Sequence, residues 1–377
     1  YALKWLSKAH LTDSYFVDYH MIKQNCLRGT PRESFLWPID ITSEYESGFG
    51  YVMNLIGSEY ISVTDVLLSR VKVSLRILIE VAINLVNAVR GIHMQGLYGV
   101  DFHDGNIFLN PDNGKVLICD IDNISTYEHF ANFAYGMQRF QAPETVISYR
   151  VHNSLSDCHS MAVLLFMLLC RSHPLEGKRT FHVVQTDDEK MKMYGSHPIF
   201  IFDEFNESNR PDPIIQSSTI ELWKILPSYM KDLFYKSFSQ EGLINPKRRP
   251  SEIRWLKNLI RMRSELIKCK SCGSYYIVAD PEMESVCPFC NFRNFFPLYL
   301  KLKDGFIIPE KGKIISNIQI GLMNYEECLN PYAYIVAKQN DDKILGIKNC
   351  SNKPWEVYKE NKHTIIQSDK IIKRSYT

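Results

Sequence analysis

Three oxygen-bearing side chains crowd residues 96–123, GLYGVDFHDGNIFLNPDNGKVLICDIDN: Asp101, Asn106 five residues later, and Asp120 beyond a second apolar run. The runs Ile107-Phe108-Leu109 and 116–119 flank Pro111-Asp112-Asn113-Gly114, which is a hairpin turn signal. One carboxylate to orient a hydroxyl, with an amide and a second carboxylate to hold Mg²⁺, is the set that phosphoryl transfer needs, because that reaction is mainly positioning and charge neutralisation. Each piece also has a plainer origin: an isolated Asp-x4-Asn arises by accident, and Asp-Asn-Gly alone makes only a turn. A second set is Cys269-x2-Cys272 and Cys287-x2-Cys290, fourteen residues apart. Two thiolate pairs on tight turns surround one tetrahedral Zn²⁺, a structural site with no position open for catalysis. Gly273 and Pro288 suit such turns, and a redox dithiol explains one pair but not two.

Other segments must position these groups. Residues 73–93 read as an amphipathic helix, with Ile77, Leu78, Val81, Ala82, Leu85 and Val89 on one face, leading straight into the Asp101 loop. Ahead of it, Tyr1-Ala2-Leu3-Lys4-Trp5 alternates as a strand. Thr12-Asp13-Ser14 caps a helix carrying Phe16, Val17, Met21 and Ile22, and residues 35–41 and 51–56 read as two strands. Residues 161–170 are the longest apolar run, too short for a bilayer and suited to a buried helix. Residues 178–222 are polar, but the apolar run 198–202 predicts order there. After Phe296, short apolar alternations broken by Asn, Asp, Gly and Pro predict a small antiparallel β-sandwich. Strands followed by helices predict a small sheet-rich lobe, a larger helical lobe and a site in the cleft between them.

The 377 residues, 45% hydrophobic and 12% aromatic, are enough for two or three packed domains and exclude a wholly disordered chain. The net charge of +2, its basic excess confined to the C-terminal third, argues against nucleic acid and a membrane surface as partners. The opening residues do not read as a signal peptide and none is expected, and Cys119, Cys158 and Cys170 lie in or beside apolar segments, so a reduced, cytoplasmic location is expected. The chain opens without Met inside an apparent strand, and residues upstream are expected.

Together with Gln141-Ala142-Pro143-Glu144, Ser156-Asp157 and Asn245-Pro246-Lys247-Arg248-Arg249-Pro250, in that order, the Asp101 stretch resembles the protein-kinase superfamily, specifically bacterial Hanks-type Ser/Thr kinases. The resemblance implies an α+β, bilobal protein kinase-like fold: an N-lobe over 1–57 whose Gly-rich loop would lie upstream, and a C-lobe over 58–265. A zinc ribbon over 266–295 and a small all-β domain over 296–377 would follow, for stability or partner docking. It implies ATP and Mg²⁺ or Mn²⁺ as cofactors beside structural Zn²⁺, and transfer of the γ-phosphate to a protein Ser/Thr hydroxyl. Lys4 would anchor phosphates and Asp101 would orient the acceptor. Asn106 and Asp120 would bind metal, Met53 would gate the nucleotide pocket, and Asn54 and Leu55 would offer backbone groups to adenine. Asp157 would hold the loop's backbone, and Arg249 would bond Glu144. The C-terminal region has a faint likeness to forkhead-associated domains around residues 348–355, without a Ser-x-x-His phosphothreonine reader. Similar bacterial kinases accompany a von Willebrand factor A protein and a metal-dependent protein phosphatase, which the likeness implies as partners.

Several positions depart from the family pattern. No Glu lies between Lys4 and Glu33, leaving Asp18 as the carboxylate for Lys4, with Gln24 nearer the usual spacing. Val100 replaces an Arg that receives an activation-loop phosphate. His103 replaces the Lys that neutralises the γ-phosphate, Met137 the Thr that meets it, and Asp122 a Gly of the metal motif. Asp-x-His-x-Gly-Asn also resembles aminoglycoside and choline kinases, which phosphorylate small molecules. A pseudokinase scaffold that binds nucleotide without efficient transfer is a further alternative.

Overall fold

The computed structural model describes residues 1–7, 15–45, 47–99, 101–121, 124–126, 137–148, 153–181, 186–296, 298–322, 326–339, 341–359 and 362–373. The chain divides into two compact units, Tyr1–Leu256 and Lys257–Thr377.

The first unit opens with β1 (Ala2–Ser7), α1 (Tyr15–Arg28), β2 (Asp40–Ile41) and β3 (Gly48–Met53). The strands form an antiparallel sheet in the order β1-β3-β2, with Lys4 opposite Tyr51. Alternation along β1 exposes Leu3 and Trp5 and turns Lys4 and Leu6 to the other face. There α1 sets Tyr19, Ile22 and Cys26 against Phe49, Tyr51 and Met53, so a helical spacing meets a strand spacing. The strand expected over 35–41 is largely absent. Asp40 and Ile41 stand opposite β3, with Ile39 and Thr42 N–H donating to its Val52 O and Gly50 O at 2.8 Å; before them Pro38 has no N–H to give, and Leu36 N–H bonds Ile118 O at 2.9 Å instead. The next strand is also displaced, lying at Gly48–Met53 rather than 51–56.

Then follow β4 (Ile61–Ser62), α2 (Val63–Leu67), α3 (Leu75–His93), β5 (Leu97–Tyr98), β6 (Ile107–Leu109), β7 (Val116–Ile118) and β8 (Ser125–Thr126). Ser74 caps α3 by accepting from Ile77 N–H. The six residues predicted for its apolar face are all buried, but so are Ile79, Ile83, Val86, Ala88 and Ile92, because α3 has neighbours on more than one side. One neighbour is the β6-β7 hairpin. Gly114 in its turn has a φ of 74°, and a Cβ there would stand 2.5 Å from that of Glu80 on α3, so this close approach requires glycine. Asn84 Nδ2 donates to Gly114 O at 2.8 Å, and Asn110 Oδ1 accepts from Asp112 N–H at 3.0 Å.

Among the described residues, the further α-helices of this unit are α4 (Pro143–Ser148), α5 (Ser154–Cys170), α6 (Asp187–Lys190), α7 (Ser217–Ile225), α8 (Ser228–Phe238), α9 (Gln240–Ile244) and the start of α10 (Glu252–Glu265). An Asn153–Ser156 capping box starts α5, and every residue from 156 to 170 is buried, as the apolar run predicts. Phe166 packs on Phe200 at 5.6 Å, and Phe202 stacks on Trp223 at 4.4 Å, so the run 198–202 is core. The expected pair of Arg249 and Glu144 is present with two bonds of 2.7 Å. The Arg249 side chain is 1% exposed and also donates to Gly242 O and Leu155 O. No helix among the described residues is long and apolar enough to cross a membrane.

In the second unit, β9 (Leu266–Lys268) and β10 (Tyr275–Ile277) pair, as do β11 (Ser285–Val286) and β12 (Arg293–Asn294), and β13 (Leu300–Leu302) and β14 (Gly305–Ile307). β15 (Ile314–Ser316), β16 (Pro331–Lys338), β17 (Asp341–Asn349) and β20 (Ile371–Lys373) form an antiparallel sheet in chain order. β18 (Trp355–Lys359) and β19 (Lys362–Ile366) make a separate hairpin. Ile307, Leu300, Leu302 and Trp355 pack on Ile315, Ala333 and Ile347 of the larger sheet. Lys313 Nζ caps the C-terminal end of α10 by donating to Ser264 O and Leu266 O at 3.3 and 2.9 Å.

Truncating Arg249 takes the guanidinium from the Glu144 carboxylate and a donor from the carbonyls of Leu155, Gly242 and Leu243. Arg249→Ala should destabilise the first unit by about 3–5 kcal/mol, read from urea midpoints with unchanged m-values.

Candidate active site

The β6-β7 hairpin and the loop before it bring the first three predicted residues together. A 3₁₀ turn at Asp104–Asn106 ends the loop, and the Asn106 side chain, 8% exposed, donates to Asp101 O at 3.3 Å. The Asn106 carbonyl in turn accepts from Cys119 N–H at 2.9 Å and Sγ at 3.3 Å. One residue therefore ties the Asp101 loop to the segment ending in Asp120. Asp120 adopts a φ of 58°, a left-handed conformation that Asp tolerates better than most residues.

From β1, Lys4 reaches across to bond Asp120 Oδ1. Their side chains are 30% and 42% exposed, so the contact borders solvent. Asp18 lies on α1, but its side chain is outside the described residues; so are Val100, Asp122 and Gly136. Met53 is half-buried against Phe49 and Tyr51, while Asn54 and Leu55 beyond it are exposed. Met53 ends β3 opposite Ala2 of the strand carrying Lys4, and Asn54 and Leu55 follow directly.

His103 Nδ1 accepts the Gly105 N–H at 3.1 Å, so a neutral ring carries its proton on Nε2. Nε2 lies 3.8 Å from Asp101 Oδ2, outside hydrogen-bond distance. The His103 ring packs instead on Phe140, 6.2 Å between centroids. Met137 is 54% exposed, and its carbonyl accepts from Phe140 N–H. Asp104 Oδ2 accepts from Thr64 Oγ1 at 2.9 Å, pinning the loop to α2. At its start, Gly99 N–H donates to Asp157 Oδ2 at 3.1 Å, the backbone contact expected of Asp157.

The residue pattern did not reveal a cluster beside this loop. Arg139 grips Glu176 with bonds of 2.5 and 3.0 Å, Tyr194 OH donates to the same carboxylate at 2.6 Å, and His173 Nε2 donates to Arg139 O at 2.7 Å. Burial would raise the Glu176 pKa, but His173 and the Arg139 bonds bring it down to about 2, so it stays ionised. The only sequence signal was Arg139 itself, inside a segment already singled out; its partners are too distant along the chain to flag.

The four cysteines meet in the second unit, where all ligand sulfurs lie within 4.8 Å of one another. Cys269–Cys290 and Cys272–Cys287 are 3.7 Å apart, close to the edge of a tetrahedron with Zn–S bonds of about 2.3 Å. Gly273 has a φ of 74°, which suits the first knuckle. Hydrogen bonds from Ser274 pull the Cys272 thiol down to about 6, and the Cys272 N–H lowers Cys269. The Phe292 N–H also favours the Cys290 thiolate, but desolvation and neighbouring sulfurs outweigh it and leave Cys290 at about 11. The cluster fits a zinc ribbon.

A family model described as "Protein kinase domain" matches residues 46–258, more than half of the chain; Lys4 and α1 lie before the match. No curated protein matches. With the Asp101–Asn106–Asp120 arrangement inside those limits, the chain belongs to the protein kinase domain family.

Proposed function

We propose that this protein transfers the γ-phosphate of ATP to a Ser or Thr hydroxyl of a protein. The observation that supports the reading is that Asn106 bonds the Asp101 carbonyl and Cys119 while Lys4 meets Asp120, which ties β1, the Asp101 loop and the β6-β7 hairpin to one another. The donor set fits the expected ligands: Asp120 and the Asn106 side-chain oxygen are hard ligands for Mg²⁺ or Mn²⁺, and Lys4 is a cation for phosphates. Bound metal would neutralise charge on the transferred group. Asp101 orients the acceptor hydroxyl and takes its proton, while Met53, Asn54 and Leu55 border the nucleotide base. His103 leaves the loop without the usual ammonium beside Asp101, and Arg139 holds the nearby substrate-side segment in place.

The N-lobe and C-lobe division over 1–57 and 58–265, the zinc ribbon over 266–295 and the all-β module over 296–377 form part of the same proposal. Cys269, Cys272, Cys287 and Cys290 would hold one structural Zn²⁺, and the two C-terminal modules would dock partners or substrate.

Asp101→Asn should lower transfer from labelled ATP to protein by about 10²- to 10⁴-fold with folding intact. Label on aminoglycosides instead of protein would move the assignment to small-molecule kinases; nucleotide binding without any transfer would move it to a scaffold. Purified protein should release one zinc per chain to a chromogenic chelator after thiol modification, and Cys287→Ser should lose that zinc and melt at lower temperature. A wild-type protein free of zinc after expression in zinc-supplemented medium would defeat the ribbon assignment.

A further inference from the structure

Three helix ends converge behind the Asp101 loop. His93 is the last residue of α3, Asp157 lies in the first turn of α5, and Glu252 opens α10. A cation at a helix C-terminus and carboxylates at two N-termini each suit the local helix dipole. His93 Nε2 lies 3.0 Å from Asp157 Oδ2, and its Nδ1 bonds Glu252 Oε1. Their side chains are 9%, 1% and 16% exposed, so little water competes. The Asp157 oxygen that meets His93 is the one that accepts Gly99 N–H, two residues before Asp101.

We infer that Glu252 is a positioning residue for the Asp101 loop, acting through His93 and Asp157. Only an imidazolium donates from both ring nitrogens, so only the charged ring serves both carboxylates. Burial opposes that charge, but hydrogen bonds to Asp157 and Glu252, and their charges, outweigh it and push His93 up to about 9. Among the described residues, Arg90, one turn back on α3, Cys158, beside Asp157, and Arg249, whose charge acts on Cys158, are further titratable groups around the two carboxylates. The sign follows: a pKa raised above its unfolded value gives a benefit fully present below about 6.5 and lost as pH rises through about 9. Within that window Glu252 keeps His93 charged at working pH and so keeps Asp157 on the loop's backbone.

This inference rests on Asp101 as the catalytic carboxylate, and the test separates the two. The full-length protein and its Glu252→Gln variant are compared by the pH dependence of kcat for transfer to protein, and by amide exchange at Gly99 corrected for intrinsic rates. Gln keeps an acceptor for Nδ1 but removes the charge, so the alkaline limb should move down by about 1–3 pH units with KM for ATP unchanged. Gly99 should lose protection along the same shifted limb. Glu252→Asp, which keeps the charge, should stay nearer the wild-type limb and serves if the Gln variant fails to fold. Trp255→Phe trims a buried ring on the same helix and should lower Tm without moving the limb. An unmoved limb and unchanged Gly99 protection in Glu252→Gln overturn the inference. If the wild type transfers no phosphate at any pH, the kinase reading fails instead; Gly99 protection then decides, a shifted limb supporting the clamp and identical profiles overturning it.

Discussion

A carboxylate withdrawn from water must find donors inside the protein, and Asp157 is the point where this requirement shapes the first unit. Its Oδ2 takes the backbone of the loop start and the ring of His93 together, while Oδ1 is buried with no hydrogen-bond partner among the described residues, so the carboxylate depends on those two contacts. Leaving such a group unsatisfied costs more than the bonds themselves are worth, so the loop, α3 and α5 are held to one arrangement. Arg249 repeats the logic nearby: its buried guanidinium spends all its contacts on Glu144 and on carbonyls of the surrounding turns. Buried charge thus fixes the frame, and the aromatic packing around Phe166 fills it.

On that frame three of the four residues proposed for the chemistry lie in one short, continuous stretch. The hairpin supplies rigidity, because Asn106 uses its side chain on one side and its carbonyl on the other, and Gly114 lets the turn sit tight against α3. Only Lys4 must arrive from elsewhere. The segment after Met137 is held by a different device, the Arg139–Glu176–Tyr194 network, with Phe140 packed on His103. The His103 ring, at the position where the family resemblance implies a Lys, meets Phe140 rather than Met137, so ring packing joins the Asp101 loop to this segment.

What the sequence disclosed follows from how local each signal is. Asp101, Asn106 and Asp120 were readable because they occupy a single loop and hairpin, and the four cysteines because their spacing is itself the geometry. The burial of α5 was readable from its uninterrupted apolar run. Residues 35–39 were misread as strand because apolar residues crossing between a sheet and a hairpin have the same composition as a strand; Pro38 was the available warning. The partners of Arg139 and the contact between His93 and Glu252 were not legible at all. A histidine ending one helix and a glutamate beginning another each look fully explained by their own helix dipole, so nothing local suggests that they meet.

The pairing of β1 with β3 sets unequal rules for change in the opening strand. Lys4 faces the site only while it stands opposite Tyr51, and its neighbours Leu3 and Trp5 face outward. A shift of one residue would exchange the two faces, directing an indole or an isobutyl group toward Asp120. A substitution at an outward position leaves that facing unchanged, whereas an insertion or deletion of one residue within the strand would invert it.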